Sequence, residues 1–167
     1  AVEMCRTQLA THQGPLLVVA GDSPLIQASS IRKILDRFRS GEWACLLGTL
    51  LKDDPAGLGR IVRTLGGDFS RIVEHKDATL AERTIKEVNM STYLFKTPEL
   101  LWALSKLENS NAQKEFYLTD CPQILRDNGR KVDALPVLEP CESLSINTID
   151  ELAIVEAKMR ELGYQTK

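Results

Sequence analysis

The segment GDSPLI, residues 21–26, places a carboxylate directly after an apolar run that has the length of a buried strand. In an open α/β sheet, ligands collect beyond the carboxyl ends of the strands, so Asp22 stands where it can meet one. A hard cation such as Mg²⁺ prefers oxygen ligands and usually takes only one or two of them from protein. Asp22 is therefore a candidate Mg²⁺ ligand; the alternative is that it only begins the turn through Ser23 and Pro24.

Three other segments carry polar groups that could do chemistry, and each has a plainer interpretation. EHKDA, residues 74–78, resembles an acid/base set, but consecutive residues at a strand end alternate faces and favour a solvated rim. GLGRIV, residues 57–62, follows a turn and opens a strand, which excludes the dinucleotide fingerprint of dehydrogenases. Asn109 and Asn111 could bind a sugar hydroxyl, but asparagine-rich loops usually make turns.

The composition indicates one ordinary globular domain. The chain has 167 residues, 43% of them apolar, enough for a single core. Its 21 basic and 23 acidic residues are interspersed and give a formal net charge of −2, which argues against nucleic acid and membrane surfaces as partners. No apolar run approaches the ~20 residues of a membrane span, and AVEMCRTQLA lacks the features of a signal peptide. We expect a soluble, cytoplasmic protein.

The cysteines and histidines do not form a metal motif. Cys5, Cys45, Cys121 and Cys141 lack CxxC spacing, and the chain has only two histidines. We therefore predict reduced cysteines that mostly serve as packing residues.

Strand-like and helix-like segments alternate along the chain, which predicts an α/β layered sheet with packed helices. The predicted strands, each a short apolar or β-branched run bounded by turn residues, cover 16–20, 43–51, 59–64, 69–75, 87–95 and 132–138. The first is continuously apolar, which predicts a strand buried on both faces. LGGD, residues 65–68, predicts an antiparallel hairpin between the third and the fourth.

The helix predictions rest on capping residues and on apolar spacing. The predicted helices cover 1–9, 31–38 behind capping serines, a short helix from Thr79, one from Thr97, 119–128 and 148–162. Thr79 with Glu82, and Thr148 with Glu151, have the spacing of capping boxes. In the last helix, the residues expected to form a buried stripe before a terminating Gly163 are Leu152, Val155, Met159 and Leu162.

Six segments, taken in order, resemble the second part of the uridylyltransferase domain of bacterial N-acetylglucosamine-1-phosphate uridyltransferases, also called UDP-N-acetylglucosamine pyrophosphorylases. They are GDSPLI, DDPAGLGRIV, IVEHKDAT, ERTIKEVN, NSNAQKEFYLTD and SIN. IVEHKDAT followed at this distance by EVN is highly specific, whereas GD-x-PL is shared by many nucleotidyltransferases. The resemblance covers essentially the whole chain and implies a three-layer, Rossmann-like (GT-A-like) nucleotidyltransferase fold with a mixed sheet and helices on both faces.

The resemblance also implies a reaction and the residues that perform it. The phosphate of N-acetylglucosamine 1-phosphate attacks the α-phosphorus of UTP, and UDP-N-acetylglucosamine and pyrophosphate are formed. Asp22 and Asn147 would be the two protein ligands of the catalytic Mg²⁺ and would also contact the substrate. The other residues that would contact the nucleotide sugar are Ala20 and Gly21, through their backbone, and Gly59, Glu74 and Asn89, at the N-acetylglucosamine moiety.

The sequence departs from the family in three places. The family's opening glycine-rich loop, L-x-x-G-x-G-T-x-M, does not occur, and neither do the lysine, glutamine and Gly-Thr pair that follow it. The family's C-terminal β-helix does not occur either, and Ser91 and Lys114 stand where the family has glycine. We therefore expect residues 1–167 to be an incomplete nucleotidyltransferase domain that needs an upstream segment or an oligomer partner.

Two alternatives to this function remain open at the level of sequence. One is a non-catalytic remnant or interaction module that keeps the sugar-side half of the site. The other is a nucleotidyltransferase for a different sugar 1-phosphate.

Overall fold

The computed structural model describes residues 2–109 and 113–164 of the chain. The six strands are β1 (Pro15–Val18), β2 (Cys45–Leu51), β3 (Arg60–Arg63), β4 (Phe69–Val73), β5 (Glu87–Lys96) and β6 (Val132–Leu135). The α-helices are α1 (Arg6–Leu9), α2 (Ala28–Arg39), α3 (Leu80–Arg83), α4 (Thr97–Leu104), α5 (Cys121–Asp127) and α6 (Ile149–Glu161). Short 3₁₀ helices cover Val2–Cys5, Leu118–Asp120 and Pro140–Ser143.

The strands form one mixed sheet centred on β5. Its order is β4-β3-β5-β2-β6, and β1 also pairs with β5. Only the β2–β6 pair is parallel among the described strands; the other pairs are antiparallel, including the predicted β3–β4 hairpin. Because β2 pairs along nearly all of β5, β1 and β3 share the opposite edge of that strand. The predicted mixed sheet is confirmed.

Helices cover both faces of the sheet because alternate side chains of β2 point to opposite sides. Cys45 and Leu47 belong to a core that also contains Leu100 of α4 and Leu125 of α5. On the other face, the second core joins Leu46, Leu50 and Val88 of the sheet to Ile34 of α2 and to Leu138. The three-layer arrangement predicted from the sequence is therefore confirmed.

The apolar run of the first strand predicts burial on both faces, and this prediction is wrong. β1 ends at Val18, and its residues alternate between exposed and half-buried, with Leu17 40% exposed. Leu16 and Val18 pack against the core beneath α4 and α5. Among the described residues β1 is hydrogen-bonded to β5 alone, so it lies at an edge of the sheet and only one of its faces is packed.

Two helix predictions also need correction. The serines before Ile31 do not cap α2: its cap is Gln27, and Ser30 lies inside the helix, buried and bonded to Glu142. In α6, Val155 is the one fully buried residue of the predicted stripe. Neither described core includes a residue of α6, so the helix lies at the rim and most of its apolar side chains stay partly exposed.

The cysteines are free, as predicted. Cys45 and Cys121 are buried in the core between the sheet and the helices α4 and α5. Burial raises the pKa of the Cys121 thiol to about 12. Cys5 is exposed and Cys141 is half-buried, so only Cys45 and Cys121 serve as core packing residues. No helix within residues 2–109 and 113–164 has the length and apolarity needed to cross a bilayer.

Both predicted capping boxes are present. The Thr148 hydroxyl accepts from the Glu151 main-chain N–H at 3.2 Å, and the Glu151 carboxylate accepts from the Thr148 N–H at 2.9 Å. The same pattern joins Thr79 and Glu82 at the start of α3. Reciprocal bonds of this kind satisfy two helix donors at once, so the local sequence alone sets where these two helices begin.

We predict that the α3 capping box makes stability depend on pH in acid. Hydrogen bonds from the Thr79 hydroxyl and N–H, aided by the Arg71 guanidinium, hold the pKa of Glu82 below its ordinary value. The folded-state pKa is the lower one, so the contribution to stability is complete above the unfolded pKa, about 4.3. It is lost as the pH falls through the folded pKa. Urea unfolding between pH 7 and pH 3 measures this.

In that experiment, Glu82→Gln is expected to be less stable than wild type at pH 7, and the difference should shrink as the pH falls. Glu42→Gln, which changes an exposed carboxylate on another loop, is the matched control and should follow wild type throughout. A difference between Glu82→Gln and wild type that stays constant across the pH range would contradict the prediction.

Candidate active site

The segment that carries Asp22 is a turn between β1 and α2. Because β1 ends at Val18, Asp22 lies four residues past the strand, not immediately beyond it. The Ala20 carbonyl accepts from the Ser23 N–H at 3.4 Å, and Leu25 anchors the far side of the turn in the core. Gly21 is exposed, and a Cβ placed on it would meet nothing within 4 Å, so a ligand can approach this backbone freely.

Asn147 lies beside Asp22. The main-chain N–H of its neighbour Ile146 donates to the Asp22 carbonyl at 2.9 Å, which joins two segments that are far apart in sequence. The Asn147 N–H donates to the Glu151 carboxylate at 2.8 Å. That bond, together with those from Thr148, lowers the pKa of Glu151. The α6 capping box therefore also fixes the backbone of Asn147.

The side chains of Asp22 and Asn147 suit a hard cation. Both are exposed and both offer oxygen, the donor that Mg²⁺ prefers. The Asn147 Nδ2 donates to the Ser145 hydroxyl at 3.3 Å, and this orientation leaves its Oδ1 available as a ligand. In the described part of the chain no group of three or more His, Cys, Asp or Glu is arranged to hold a metal. An ion here would thus take two protein ligands and complete its shell with water or phosphate oxygens.

The structure brings together Gly59, which precedes β3, Glu74, which follows β4, and Asn89, the third residue of β5. The Gly59 carbonyl accepts from the Asn89 N–H at 2.9 Å. A Cβ built on Gly59 would lie 3.4 Å from the Glu74 Oε2 and 3.5 Å from the Asn89 Cβ. The nearest atom to that Cβ would be the Ile72 Cγ2, at 3.2 Å, so glycine at position 59 permits close packing that brings together a carboxylate and an amide side chain, both of which can bind sugar hydroxyls.

The amide of Asn89 is held in one orientation. Its Nδ2 donates to the Tyr93 hydroxyl at 2.8 Å, and its Oδ1 accepts from the Ser91 N–H at 3.3 Å. Tyr93 is fully buried, and burial raises the pKa of its hydroxyl, which therefore stays protonated. Each polar atom of the Asn89 side chain retains one further hydrogen-bonding position, so the oriented amide can still bind a ligand.

A bulge in β5 follows Asn89. The register with β2 shifts between Gly48 and Thr49, which pair with Thr92 and Asn89, so Met90 and Ser91 have no partner on β2. Ser91 has φ of 52°, and Lys114 has φ of 55°; both lie in the left-handed region, which costs an L-residue about 1–2 kcal/mol. These are the two positions at which the sequence departs from the family's glycine.

We predict that Ser91→Gly stabilises the chain by about 0.5–1 kcal/mol, since glycine adopts positive φ without steric cost. Chemical denaturation measures the change in the free energy of unfolding. Ser29→Gly is the matched control: Ser29 is exposed and has helical backbone in α2, where glycine is expected to destabilise by roughly 0.5 kcal/mol. Destabilisation by Ser91→Gly would show that the serine side chain contributes more than its backbone strain costs.

A cavity of about 320 Å³ opens beside Glu74. It lies between the loop after β4 and the segment before α5, and its lining includes Gly57, Glu74, His75, Lys76, Tyr117 and Thr119. Burial, then the charges of Glu74 and Asp77, raise the pKa of nearby Asp120. The lining also includes Phe116 and Leu118, so the cavity offers an apolar surface beside the polar groups of Glu74, Tyr117 and Thr119, which suits a sugar.

The Asp22 turn and the Asn89 group are connected through the paired strands β1 and β5. β1 runs antiparallel to β5 and its last residue, Val18, pairs with Tyr93, whose hydroxyl accepts from the Asn89 Nδ2, so the chain leaves β1 in the direction of Asn89. His75 of the EHKDA segment contacts the buried Arg60, with 3.4 Å between Nδ1 and Nη2, while Lys76 is exposed. Of that segment, it is Glu74 that joins the Asn89 group. Asn109 is exposed, and Asn111 lies outside the described residues.

The chain aligns with curated proteins along nearly all of its length. It is 41% identical over 160 residues to the bifunctional protein GlmU of Streptococcus thermophilus strain LMD-9, covering 96% of the chain and 35% of that relative. The GlmU of Geobacillus strain WCH70 is 42% identical over 161 residues, with the same coverage. The chain is homologous to part of GlmU. The resemblance read from its six segments is thus confirmed, and the chain spans about a third of the length of its GlmU relatives. No family model matches the chain.

Solved structures that are distant in sequence share the fold of this chain. A Bacillus anthracis protein described as a glucose-1-phosphate thymidylyltransferase superposes with a TM-score of 0.71 over 99% of the chain and 61% of its own, at 16% identity. An apo UDP-glucose pyrophosphorylase gives 0.68 over 96% of the chain and 59% of its own, at 11% identity. The predicted nucleotidyltransferase fold is therefore confirmed.

Tyr117 and Thr119, which line the cavity beside Glu74, belong to none of the predicted site residues. Both lie in NSNAQKEFYLTD, residues 109–120, where the asparagines are the residues whose type suggests sugar binding. The sequence offers only an aromatic and a hydroxyl residue two positions apart, and the structure places them at the N-cap and within the Leu118–Asp120 3₁₀ helix. Their place in the cavity becomes clear only once α5 packs beside β4.

Proposed function

We propose that the chain is part of a uridylyltransferase that makes UDP-N-acetylglucosamine and pyrophosphate from UTP and N-acetylglucosamine 1-phosphate. The observation that supports the proposal is that β1, which leads to the Asp22 turn, ends beside Tyr93, the residue that bonds to Asn89 of the sugar-side group. The chain spans about a third of its GlmU relatives, so residues 1–167 would form an incomplete domain that works with a further segment or a second subunit.

In this proposal the sugar-side residues bind and orient the acceptor. The Glu74 carboxylate accepts from sugar hydroxyls, and the fixed Asn89 amide offers one donor and one acceptor in a known orientation. The absence of a side chain at Gly59 lets Glu74 and Asn89 lie close to each other, so that both can contact one sugar. Phosphoryl-type chemistry depends chiefly on such positioning and on charge neutralisation, because the protein needs to form no covalent bond to the substrate.

Mg²⁺ is the proposed cofactor, with Asp22 and Asn147 as its protein ligands. When bound, it would neutralise negative charge on the phosphate oxygens. The open backbone at Ala20 and Gly21 would contact the nucleotide sugar in the same region. Asp22 and Asn147 would hold the ion, because the hydrogen bond from the Ile146 N–H to the Asp22 carbonyl joins the two segments that carry them.

Binding of UDP-N-acetylglucosamine tests the sugar side, and isothermal titration calorimetry on the 167-residue chain measures it. Asn89→Ala and Glu74→Gln are each expected to weaken binding by about tenfold, since each removes a hydrogen bond to the sugar, worth about 1–1.5 kcal/mol. Asn109→Ala, which removes an exposed asparagine, is the matched control and should bind like wild type.

Unchanged affinity in both site variants would contradict the proposed sugar contacts. A chain that prefers UDP-glucose to UDP-N-acetylglucosamine would indicate the nucleotidyltransferase for another sugar 1-phosphate. Binding without pyrophosphate release, after the glycine-rich segment has been supplied, would instead indicate a non-catalytic relative that retains half of the site.

A further inference from the structure

Glu142 is a buried carboxylate outside the residues that the proposed function uses. It lies in the Pro140–Ser143 3₁₀ helix and is 3% exposed. One of its oxygens accepts from the Gln27 main-chain N–H at 3.0 Å. The other accepts from the Ser30 hydroxyl at 2.5 Å and from the Glu139 N–H at 2.7 Å. A charge removed from water needs such donors, because burying it without them is costly.

The bonds of Glu142 connect the two segments that carry the proposed metal ligands. Gln27 follows Asp22 by five residues and caps α2, whereas Glu142 precedes Asn147 by five residues. The hydrogen bond from Ile146 to the Asp22 carbonyl makes a second connection between the same segments. The Asp22 turn is therefore tied at both of its ends to the segment that leads to Asn147.

We propose that Glu142 is a positioning residue for the Mg²⁺ site: by fixing residues 21–27 against residues 139–147, it holds Asp22 and Asn147 toward one shared cation. The inference rests on the proposed function, because that function supplies the two ligands. Glutamine cannot replace the carboxylate fully. In one orientation its NH₂ group would face the Gln27 N–H, and in the other it would face the Glu139 N–H. Either way two donors would meet and one hydrogen bond would be lost.

Mn²⁺ binding to the ¹⁵N-labelled 167-residue chain tests the proposal without substrate or turnover. Paramagnetic broadening of the Asp22 and Asn147 amide signals during titration with Mn²⁺ alone gives the dissociation constant at this site. Glu142→Gln is expected to raise that constant by about tenfold, the usual effect of losing a group that orients metal ligands. Ser30→Ala, which removes one of the three donors, should raise it less.

Lys33→Gln is the matched control, because it removes an exposed 3.4 Å ion pair with Glu139 that also joins α2 to the 3₁₀ helix. Its Mn²⁺ affinity should equal that of wild type. If Glu142→Gln lowers the melting temperature but leaves the affinity of the folded chain unchanged, the role of Glu142 is structural and the proposal fails. Should Glu142→Gln not fold, an unchanged affinity in Ser30→Ala overturns the proposal.

Asp22→Asn separates this proposal from the proposed function. Loss of broadening in Asp22→Asn with full affinity in Glu142→Gln would overturn the positioning role and leave the metal ligands in place. Broadening that is absent from wild type, or that persists in Asp22→Asn, would overturn the metal ligands, and the positioning role with them.

Discussion

Asp22→Asn is expected to lower pyrophosphate release from UTP and N-acetylglucosamine 1-phosphate by at least about 100-fold, or roughly 2.7 kcal/mol. Asparagine keeps an oxygen at the same place but removes the negative charge that attracts a divalent cation. The turn should survive the change, because its bond to Ile146 uses the Asp22 main-chain carbonyl and not the carboxylate. The loss should therefore be in catalysis and not in folding.

The assay suits a chimaera in which the segment that precedes the matching region of the Geobacillus GlmU is joined to this chain. That segment would supply the glycine-rich loop that the sequence does not contain. Asp36→Asn makes the same substitution at an exposed position of α2 and is the control. Raising the Mg²⁺ concentration should recover part of the activity of Asp22→Asn and leave the control unchanged. A chimaera as active with asparagine as with aspartate would remove Asp22 from the metal site.

Local sequence predicts those parts of the fold that local interactions decide. The Thr79–Glu82 and Thr148–Glu151 capping boxes form as their spacing indicates, because all their partners lie within one helical turn. The hairpin around LGGD forms for a similar reason. The β1 and α6 predictions fail because an apolar run or stripe reports what a segment could bury and not what lies opposite it. Leu17 and Leu152, each 40% exposed, have no core layer over them.

The residues of the candidate site also differ in whether local sequence or long-range packing determines their place. The position of Asp22 after an apolar strand suggests a ligand, whereas the grouping of Gly59, Glu74 and Asn89 was implied by family resemblance alone. Nothing in the local pattern indicates that Tyr93 orients Asn89, or that Glu142 bonds to Gln27 across 115 positions of sequence. Long-range polar contacts of this kind depend on the completed packing, so they become visible only in the structure.

Arg63→Met is expected to lower the free energy of unfolding by about 2–3 kcal/mol, the largest stability effect predicted for this chain. Arg63 makes a bidentate pair with Glu87, both bonds at 2.7 Å, and also donates to the Ala134 carbonyl at 2.7 Å. Its side chain is 27% exposed and that of Glu87 is 11% exposed. Methionine fills similar space but leaves the half-buried Glu87 with only the Thr49 hydroxyl as a donor among the described residues.

Urea denaturation of Arg63→Met, Glu87→Gln and the double variant measures the coupling directly. The double variant should lose less than the sum of the two single variants, because much of each single loss comes from the partner left unpaired. Lys86→Met is the control, because it breaks the 2.7 Å pair between Lys86 and Asp53, whose side chains are 63% and 97% exposed, respectively. This variant should have the same free energy of unfolding as wild type within experimental error. If Arg63→Met lost no more free energy of unfolding than Lys86→Met, water would be able to replace the guanidinium as a donor to Glu87. The pair that links β3 to the start of β5 would then contribute no more than a surface contact.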